Sequence, residues 1–167
     1  MPLPRPSGLR YVAAEAMAAE LILFVGLQGS GKSTFYQERF SRTHVLVSKD
    51  LLGRRHLDER SQLLIAESLD AFKPVVVDNC HVTVADREVM IRTAGSSPVR
   101  AYVFKFDVKA CIRRNNQRTG KARVPLVALY TKAKYFTDPS WSEGFDSISD
   151  VAISEEGCFE VTERSPR

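Results

Sequence analysis

The chain folds around eight consecutive residues, Gly26-Leu27-Gln28-Gly29-Ser30-Gly31-Lys32-Ser33. They match G-x-x-x-x-G-K-S, the phosphate-binding pattern known as the P-loop. An apolar run from Leu21 to Val25 precedes the motif and has the character of a buried strand. Residues 34–40 follow without glycine or proline and predict a helix. Strand, glycine loop and helix in this order are the context that the motif requires.

This motif predicts binding of a nucleoside triphosphate. Its glycines allow backbone conformations that turn several N–H groups toward one anion, and the helix adds the positive end of its dipole. Lys32 is expected to reach the β- and γ-phosphates, and Ser33 to bind Mg²⁺. A glycine-rich turn without a ligand is the alternative. The expected nucleotide contacts in the motif are Gly26, Gln28, Gly29, Ser30, Gly31, Lys32, Ser33 and Thr34.

Length and composition point to one intracellular domain. The chain has 167 residues, and no apolar run approaches the length that a membrane span needs. The prolines and acids near the N-terminus are unlike a secretory signal. Cys80, Cys111 and Cys158 form no C-x-x-C pair or zinc spacing, which favours reduced thiols in a cytoplasmic protein, or a nuclear one in a eukaryote.

The charges are unevenly distributed. Residues 100–134 contain ten Lys or Arg and one acid, Asp107, whereas the residues from Tyr135 onward contain eight Asp or Glu and two Arg. A basic block this dense beside a P-loop indicates a polyanionic partner, either nucleotide phosphates, nucleic acid or both. A solvated helix face is the alternative for such a block taken alone.

Strand and helix patterns alternate along the chain, which predicts a parallel sheet with helices on both faces. The fold class is therefore a three-layer α/β P-loop kinase-like fold, with a mostly parallel five-stranded sheet and a basic lid. Residues 1–20 form a leader with a possible short helix, residues 21–155 the domain, and residues 156–167 an acidic tail with a short strand near 158–161. The expected strands are 21–25, 44–48, 74–78, 99–106 and 148–153, and the expected helices are 31–40, 58–72, 84–94, 108–118 and 125–136.

Two of these strands end in an acid. Asp50 follows the strand 44–48, and Asp78 ends the strand 74–78. Polar residues at the carboxyl ends of strands in an α/β sheet lie at the edge where ligands bind. Four apolar residues and then Asp78 form a Walker-B-type strand, whose acid helps to hold Mg²⁺.

A kinase needs a carboxylate that takes the acceptor proton and cations that stabilise the transferred group. Asp50 is the candidate base. Arg114 and Arg118 are four residues apart, hence on one helix face, and with the glycine hinge at Gly120 they predict a lid over the phosphates. A guanine-specific GTPase is disfavoured because Thr131-Lys132-Ala133-Lys134 lacks the acid of the N/T-K-x-D element.

Several motifs together resemble the 5′-kinase domain of polynucleotide kinase, in its mammalian kinase–phosphatase form more than in its phage form. The similarity covers about 21–152. The resembling segments are Gly26–Phe35, Lys49-Asp50-Leu51-Leu52-Gly53, Val77-Asp78-Asn79, Arg113-Arg114-Asn115-Asn116-Gln117-Arg118, Val124-Pro125 and Glu143-Gly144-Phe145.

The resemblance implies ATP–Mg²⁺-dependent phosphorylation of a 5′-hydroxyl end of DNA or RNA, as in nucleic acid repair. It implies that Asp50 is the general base, that Lys32 and Ser33 hold the phosphates and the metal, and that Arg118 with Arg114 covers the ATP phosphates. The expected partner is the 5′-hydroxyl end itself as substrate, with a separate phosphatase or ligase as a possible further partner. Two departures are Lys49, where an arginine is usual, and Gly53, where the phage form has an arginine that Arg54 or Arg55 would replace.

Two other functions remain open. A small-molecule P-loop kinase acting on a nucleoside, sugar or nucleotide-sugar would share the P-loop and Asp50, although it needs fewer cations. A non-catalytic ATP-binding regulatory module would not need Lys32, Ser33, Asp50 and Arg118 together.

Overall fold

The structure, a computed structural model, describes residues 18–52 and 57–166, and for Asp50 and Leu57 it describes the backbone alone. The strands in these ranges are β1 (Leu21–Val25), β2 (Val45–Val47), β3 (Val75–Val77), β4 (Val99–Phe104), β5 (Ser147–Ile153) and β6 (Phe159–Glu163). The helices are α1 (Lys32–Arg39), α2 (Lys49–Leu52), α3 (Leu57–Asp70), α4 (Val84–Ala94), α5 (Val108–Asn116) and α6 (Leu126–Lys134). Short 3-10 turns lie at Gly120–Ala122 and Trp141–Glu143.

The strands form one sheet in the order β2-β3-β1-β4-β5-β6. β1 pairs in parallel with β3 on one side and with β4 on the other, so the strand order reverses at β1. Ligands of open α/β sheets bind beyond the carboxyl ends of the strands at such a switch point. The P-loop follows β1 directly and therefore lies there.

The sheet has six strands, one more than the five predicted for it, because the short strand predicted near 158–161 turns back and joins it as β6. Gly157 N donates to Ser154 O over 3.0 Å, and Ser154 N donates to Cys158 O over 2.8 Å. This turn returns β6 antiparallel to β5. The Phe159 ring then packs against Phe35 of α1, with ring centroids 5.1 Å apart. The expected acidic tail thus contains an edge strand.

Alternation along β1 builds the core on both faces of the sheet. Leu21, Leu23 and Val25 belong to one buried cluster, which includes Ile65 of α3 and Met90 of α4. The intervening residues of β1 face the opposite cluster, which is formed with α1. That second cluster contains Ile22, Phe24, Phe35, Tyr36, Val76, Phe104 and Val151. The sheet is therefore covered on both sides, and the predicted three-layer α/β fold is confirmed.

Local capping signals place two helix starts as the sequence predicts. Thr83 Oγ1 accepts from Asp86 N while Asp86 Oδ2 accepts from Thr83 N, a capping box that starts α4. The Asp107 carboxylate accepts from Lys109 N and Ala110 N and starts α5.

Some expectations fall wholly or largely outside the described residues. The possible short helix of the leader 1–20 lies there except for residues 18–20, which have no regular secondary structure. Residues 53–56, which include the cation candidates Arg54 and Arg55, lie there entirely. Among the residues that are described, no helix has both the length and the apolar character needed to cross a bilayer.

Candidate active site

The ends of three parallel strands are joined by hydrogen bonds at the carboxyl edge of the sheet. Gly26 N, at the end of β1, donates to Cys80 O beyond β3 over 2.9 Å. Lys49 N, beyond β2, donates to Asn79 Oδ1 over 3.1 Å. These bonds bring the P-loop, the start of α2 and residues 78–82, hereafter the β3–α4 loop, to one place.

Two glycines of the P-loop are required by close packing and by their backbone conformation. Gly29 has a φ of 81°, and a Cβ there would lie 2.9 Å from Cys111 O of α5. Gly31 has a φ of 101°, and a Cβ there would lie 3.2 Å from Ile153 and from Phe159. Left-handed backbone disfavours other residue types, and neither space admits a side chain without movement. The P-loop therefore packs closely between α5 and the β5–β6 hairpin.

Lys32 is held against the loop that it follows. Its Nζ donates to Leu27 O over 2.6 Å and to Gly26 O over 3.1 Å, and the side chain is buried. Burial lowers the pKa of Lys32, and the nearby Cys80 and Asp78 oppose this shift. An ammonium held by carbonyl oxygens at the mouth of a P-loop is placed to exchange these partners for phosphate oxygens.

The two predicted metal residues lie in contact. Ser33 Oγ donates to Asp78 Oδ2 over 2.6 Å, although the residues are 45 positions apart. A hydroxyl oxygen and a carboxylate oxygen, with room for water and phosphate oxygens, are the donor set that Mg²⁺ prefers. The residues present therefore fit a magnesium ion bound with a nucleotide.

The backbone of Asp50 lies in α2, one residue beyond the Lys49 N–H that bonds to Asn79. Asn79 directly follows Asp78, so the chain at Asp50 is tied to the loop that carries the metal candidate. The Asp50 side chain lies outside what the structure describes, and its role as a base stays a prediction.

A basic segment approaches the P-loop from α5. Arg114 Nη1 donates to Gly29 O over 2.8 Å and so anchors α5 to the loop. Residues 117–123, hereafter the lid, connect α5 to the segment before α6, and Arg118 and Lys121 of the lid line a cavity at the P-loop. Lys132 of α6 lines the same cavity.

That cavity has a volume of about 570 Å³ and two chemically different walls. Its cationic wall consists of the lining side chains Lys32, Lys49, Arg118, Lys121 and Lys132, from α1, α2, the lid and α6. The α3–α4 wall consists of the lining side chains Asp58, Gln62, Asp86, Val89 and Met90. The cationic wall is suited to phosphates, whereas the α3–α4 wall offers hydrogen-bond acceptors and apolar surface to a second substrate.

A buried ion pair between α4 and the segment before β5 holds the β3–α4 loop in place. Arg87 of α4 is fully buried, and its Nε and Nη2 donate to the two carboxylate oxygens of Glu143 over 2.7 and 2.9 Å. Its Nη1 donates to His81 O over 2.9 Å and to Thr137 O over 3.0 Å. One guanidinium thus ties the β3–α4 loop to the segment that leads into β5.

His81 occupies a strained position in this loop. Its φ is 43°, a left-handed conformation that few non-glycine residues adopt. Burial lowers the pKa of His81 to about 4, so the ring is neutral near pH 7. The 2.9 Å contact between Nδ1 and Phe24 O therefore places the proton on Nδ1. The surrounding hydrogen bonds fix the loop that presents Asp78 and Asn79.

Comparison with known proteins gives the family. A model of the AAA domain (AAA_33) matches residues 21–139, which include the P-loop, both strand-end acids and the lid. The chain belongs to this AAA domain family. It has a P-loop kinase-like fold.

Two curated relatives align with this AAA domain. The "Transcription factor bHLH140" of Arabidopsis thaliana is 28% identical over 125 residues, 68% of the chain and 14% of the relative. The "Bifunctional polynucleotide phosphatase/kinase" of Schizosaccharomyces pombe is 23% identical over 138 residues, 79% of the chain and 33% of the relative. The chain thus spans a third or less of either relative, and the predicted resemblance to polynucleotide kinase is confirmed.

Solved structures share the fold. A gluconokinase from Sinorhizobium meliloti 1021 superposes with a TM-score of 0.59 at 18% identity, covering 83% of the chain and 85% of that protein. A fungal RNA kinase gives 0.61 at 13% identity, covering 80% and 38%. The Pnkp1/Rnl/Hen1 RNA repair complex gives 0.58 at 23% identity, covering 90% and 50%. Kinases of sugars and of RNA thus share one fold, and this fold does not identify the acceptor.

The structure of this AAA domain places most predicted site residues around one cavity. The predicted residues that line it are Gln28, Gly29, Gly31, Lys32, Ser33, Thr34, Asp78 and Arg118. Gly26, Ser30 and Arg114 lie outside the lining. Ser30 is buried, and its Oγ donates to Leu27 O over 2.8 Å within the loop. Gly26 holds the loop through its backbone N–H, and Arg114 through its guanidinium, in the hydrogen bonds described above.

Sequence reasoning missed the residues that position this site. Arg87 and His81 act through buried contacts with residues 50 or more positions away, and Asn115 acts on Val124 from a fully buried position. Glu143 and Asn115 stand in the segments that resemble polynucleotide kinase, which is the one signal that could have singled them out.

Proposed function

We propose that the chain is an ATP-dependent polynucleotide 5′-hydroxyl kinase, which transfers the γ-phosphate of ATP to a 5′-OH end of DNA or RNA. The observation that carries the proposal is the single cavity that Lys32, the lid cations and the bonded Ser33–Asp78 pair line together. The relative from fission yeast, named as a polynucleotide phosphatase/kinase, supports the acceptor class.

In this proposal the protein positions charge and takes one proton. The P-loop N–H groups and Lys32 bind the β- and γ-phosphates, and Arg118 stabilises the charge that develops on the transferred group. Ser33 and Asp78 hold Mg²⁺, which neutralises phosphate charge when it is bound. Asp50 accepts the proton of the 5′-hydroxyl as its oxygen bonds to the γ-phosphorus. The bond from that phosphorus to the β–γ bridging oxygen breaks, and ADP leaves.

A small-molecule kinase is the second candidate, and the α3–α4 wall favours it. Asp58, Gln62 and Asp86 accept hydrogen bonds, so they suit the hydroxyls of a sugar or nucleoside. Two carboxylates would also repel the phosphates of a longer strand. The polynucleotide hypothesis therefore requires that only the terminal nucleoside enters the cavity and that the following phosphates meet the exposed cations near the lid.

The experiment is transfer of labelled γ-phosphate from ATP–Mg²⁺ to a 5′-hydroxyl oligonucleotide, in parallel with a nucleoside and gluconate. We expect label on the oligonucleotide, with a rate that falls steeply as salt rises because several phosphates are neutralised on binding. Label on gluconate or the nucleoside alone would replace the proposal with the second candidate. Turnover of no acceptor with ATP still bound would favour a regulatory module.

Asp50→Asn is the matched variant for the base, since it keeps the size of the side chain and removes its charge. We expect ATP binding to stay within a factor of about two while transfer falls by about 10²–10⁴-fold. Equal losses of ATP binding and transfer would contradict the role of Asp50 as a base.

The proposed product is a 5′-phosphate end, which a ligase joins. A separate phosphatase or ligase would therefore act on the same nucleic acid. The free thiols Cys80, Cys111 and Cys158 fit a reducing compartment such as the cytoplasm, where ATP and Mg²⁺ are supplied.

A further inference from the structure

The lid is a short exposed segment whose two ends must be held in place. All seven of its residues are exposed, from Gln117 at its start to Arg123 at its end. Its internal bonds are local, such as Arg118 N to Asn115 O over 3.1 Å and Arg123 N to Gly120 O over 3.2 Å. Local bonds of this kind shape a turn, but they do not fix where the turn lies over the P-loop.

Asn115 supplies the missing constraint from the last turn of α5. Its side chain is fully buried. The Nδ2 group donates to Val124 O over 2.7 Å, and Oδ1 accepts from Val124 N over 2.9 Å. Both polar atoms of the amide therefore bind the backbone of one residue, in the way that a neighbouring strand would. Val124 lines the same cavity as Arg118 and Lys121.

These two bonds close the lid into a loop with both ends fixed on α5. The N-terminal end leaves α5 directly, and the C-terminal end is held at Val124 nine positions after Asn115. Arg114, the preceding residue on α5, is bonded to Gly29 O of the P-loop. The same helical turn therefore positions both the P-loop and the far end of the lid.

We propose that Asn115 is a positioning residue that holds the lid over the P-loop, so that Arg118 and Lys121 meet the ATP phosphates. The proposal rests on the proposed binding of ATP, but it does not depend on the identity of the acceptor. Without the amide, the N–H and C=O of Val124 lose their partners and the C-terminal end of the lid is free to leave α5.

Two variants of Asn115, compared with a variant of its neighbour Asn116, test whether the bonds to Val124 hold the lid. Asn115→Ala removes both bonds, and Asn115→Asp has the same size but removes the donor to Val124 O. Asn116→Ala is the matched control, because Asn116 is exposed and its Oδ1 bonds to Arg123 while both Val124 bonds remain.

Limited trypsin digestion measures how readily the lid opens, independently of catalysis. Its cleavage sites within the lid are Arg118, Lys121 and Arg123. We expect lid cleavage of the two Asn115 variants to be about tenfold faster than that of the control, because the loss of two hydrogen bonds shifts an opening equilibrium by about that factor. Equal cleavage rates in variants that still unfold cooperatively would overturn the proposal.

Nucleotide binding tests the second half of the inference. We expect the Kd for ATP–Mg²⁺ to rise about tenfold in both Asn115 variants, while the Kd for adenosine changes little because adenosine has no phosphates for the lid to contact. A loss for both ligands would indicate a general structural role and contradict positioning. If the wild-type chain bound no ATP, the proposed function would fail, whereas the digestion would still report whether Asn115 holds the lid.

Acidic pH supplies a rescue for Asn115→Asp. A protonated carboxyl offers one donor and one acceptor, as the amide does, and burial raises the pKa of such a carboxyl. We therefore expect the affinity of this variant for ATP, relative to wild type, to recover between pH 8 and pH 5.5. Asn115→Ala should show no such recovery, and equal pH profiles of the two variants would contradict the hydrogen-bond argument.

Discussion

The β3–α4 loop and the lid border the same cavity, but they are held in opposite ways. Hydrogen bonds with four residues fix the loop. Gly26 and Thr137 bond to its backbone, Arg87 bonds to the backbone of His81, and the carbonyl of Phe24 bonds to the His81 ring. The lid is exposed along its whole length, and it is fixed at its far end by the side chain of Asn115.

This difference teaches which part of the site is ready in advance and which part opens. Segments with buried hydrogen bonds open at a free energy close to that of global unfolding, whereas exposed segments with local bonds open at a much lower cost. We therefore expect the Ser33–Asp78 pair to be present before a nucleotide binds, and the lid to settle over it afterwards.

Breaking the buried ion pair between Arg87 and Glu143, which holds the β3–α4 loop, should have the largest effect on stability. Arg87→Met leaves the Glu143 carboxylate buried without its partner, so we expect the free energy of unfolding to fall by about 3–5 kcal/mol. Urea denaturation followed by circular dichroism measures this change. Arg92→Met, on the same helix but in an exposed pair with Glu88, is the control and should be indistinguishable from wild type.

His81 should make stability depend on pH. Its pKa is about 4 in the fold and near 6.5 in an unfolded chain, so the unfolded state binds more protons between these values. Stability should be constant above pH 6.5 and should fall by about 3 kcal/mol on the way to pH 4. The comparison is with His81→Asn, which tolerates the positive φ and carries no proton in this range. The same slope in both proteins would assign it to other groups.

Removing the charge of Asp78 tests what the β3–α4 loop contributes to activity, separately from its rigidity, because the hydrogen bonds that fix the loop remain. Asp78→Asn should lower phosphate transfer by about 100-fold and raise the Mg²⁺ concentration needed for half-maximal rate. Stability should change little, since an amide oxygen still accepts from Ser33. Asp70→Asn, an exposed acid on α3, is the control. An unchanged Mg²⁺ dependence would count against Asp78 as a metal ligand.

A substitution in the lid should affect activity and leave stability intact. Arg118→Ala removes an exposed side chain, so we expect a loss of about tenfold in kcat/KM for ATP and the unfolding midpoint of wild type. Arg113→Ala removes an exposed cation of α5 that does not line the cavity. Steady-state kinetics that gave equal losses for the two variants would indicate a general charge effect instead of a phosphate contact.

The parts of the fold that were predictable are those whose signals are local. Thr83 and Asp107 cap α4 and α5, which begin where helices were predicted, and the apolar runs before Asp50 and Asp78 form neighbouring parallel strands. The sequence left the region of the short helix α2 open, because Gly53 and the basic residues after it favour a loop as much as a helix.

The supports of the site could not be predicted because they depend on distant partners. Arginine is rarely fully buried, so nothing near Arg87 indicates a pair with Glu143, 56 residues away. In the same way, Asn115 has an exposed neighbour of the same type, Asn116, and the helical pattern alone does not tell which amide turns inward.

The contact of Phe159 with the P-loop has a consequence for the order in which the protein is made. A Cβ at Gly31 would lie 3.2 Å from the Phe159 ring, so β6 forms the back of the nucleotide loop. Phe159 leaves the ribosome 128 residues after Gly31. A nascent chain that has already paired β1, β3 and β4 therefore still lacks the β6 contact behind its P-loop. ATP added during synthesis should protect the nascent chain from proteolysis only after β6 has emerged.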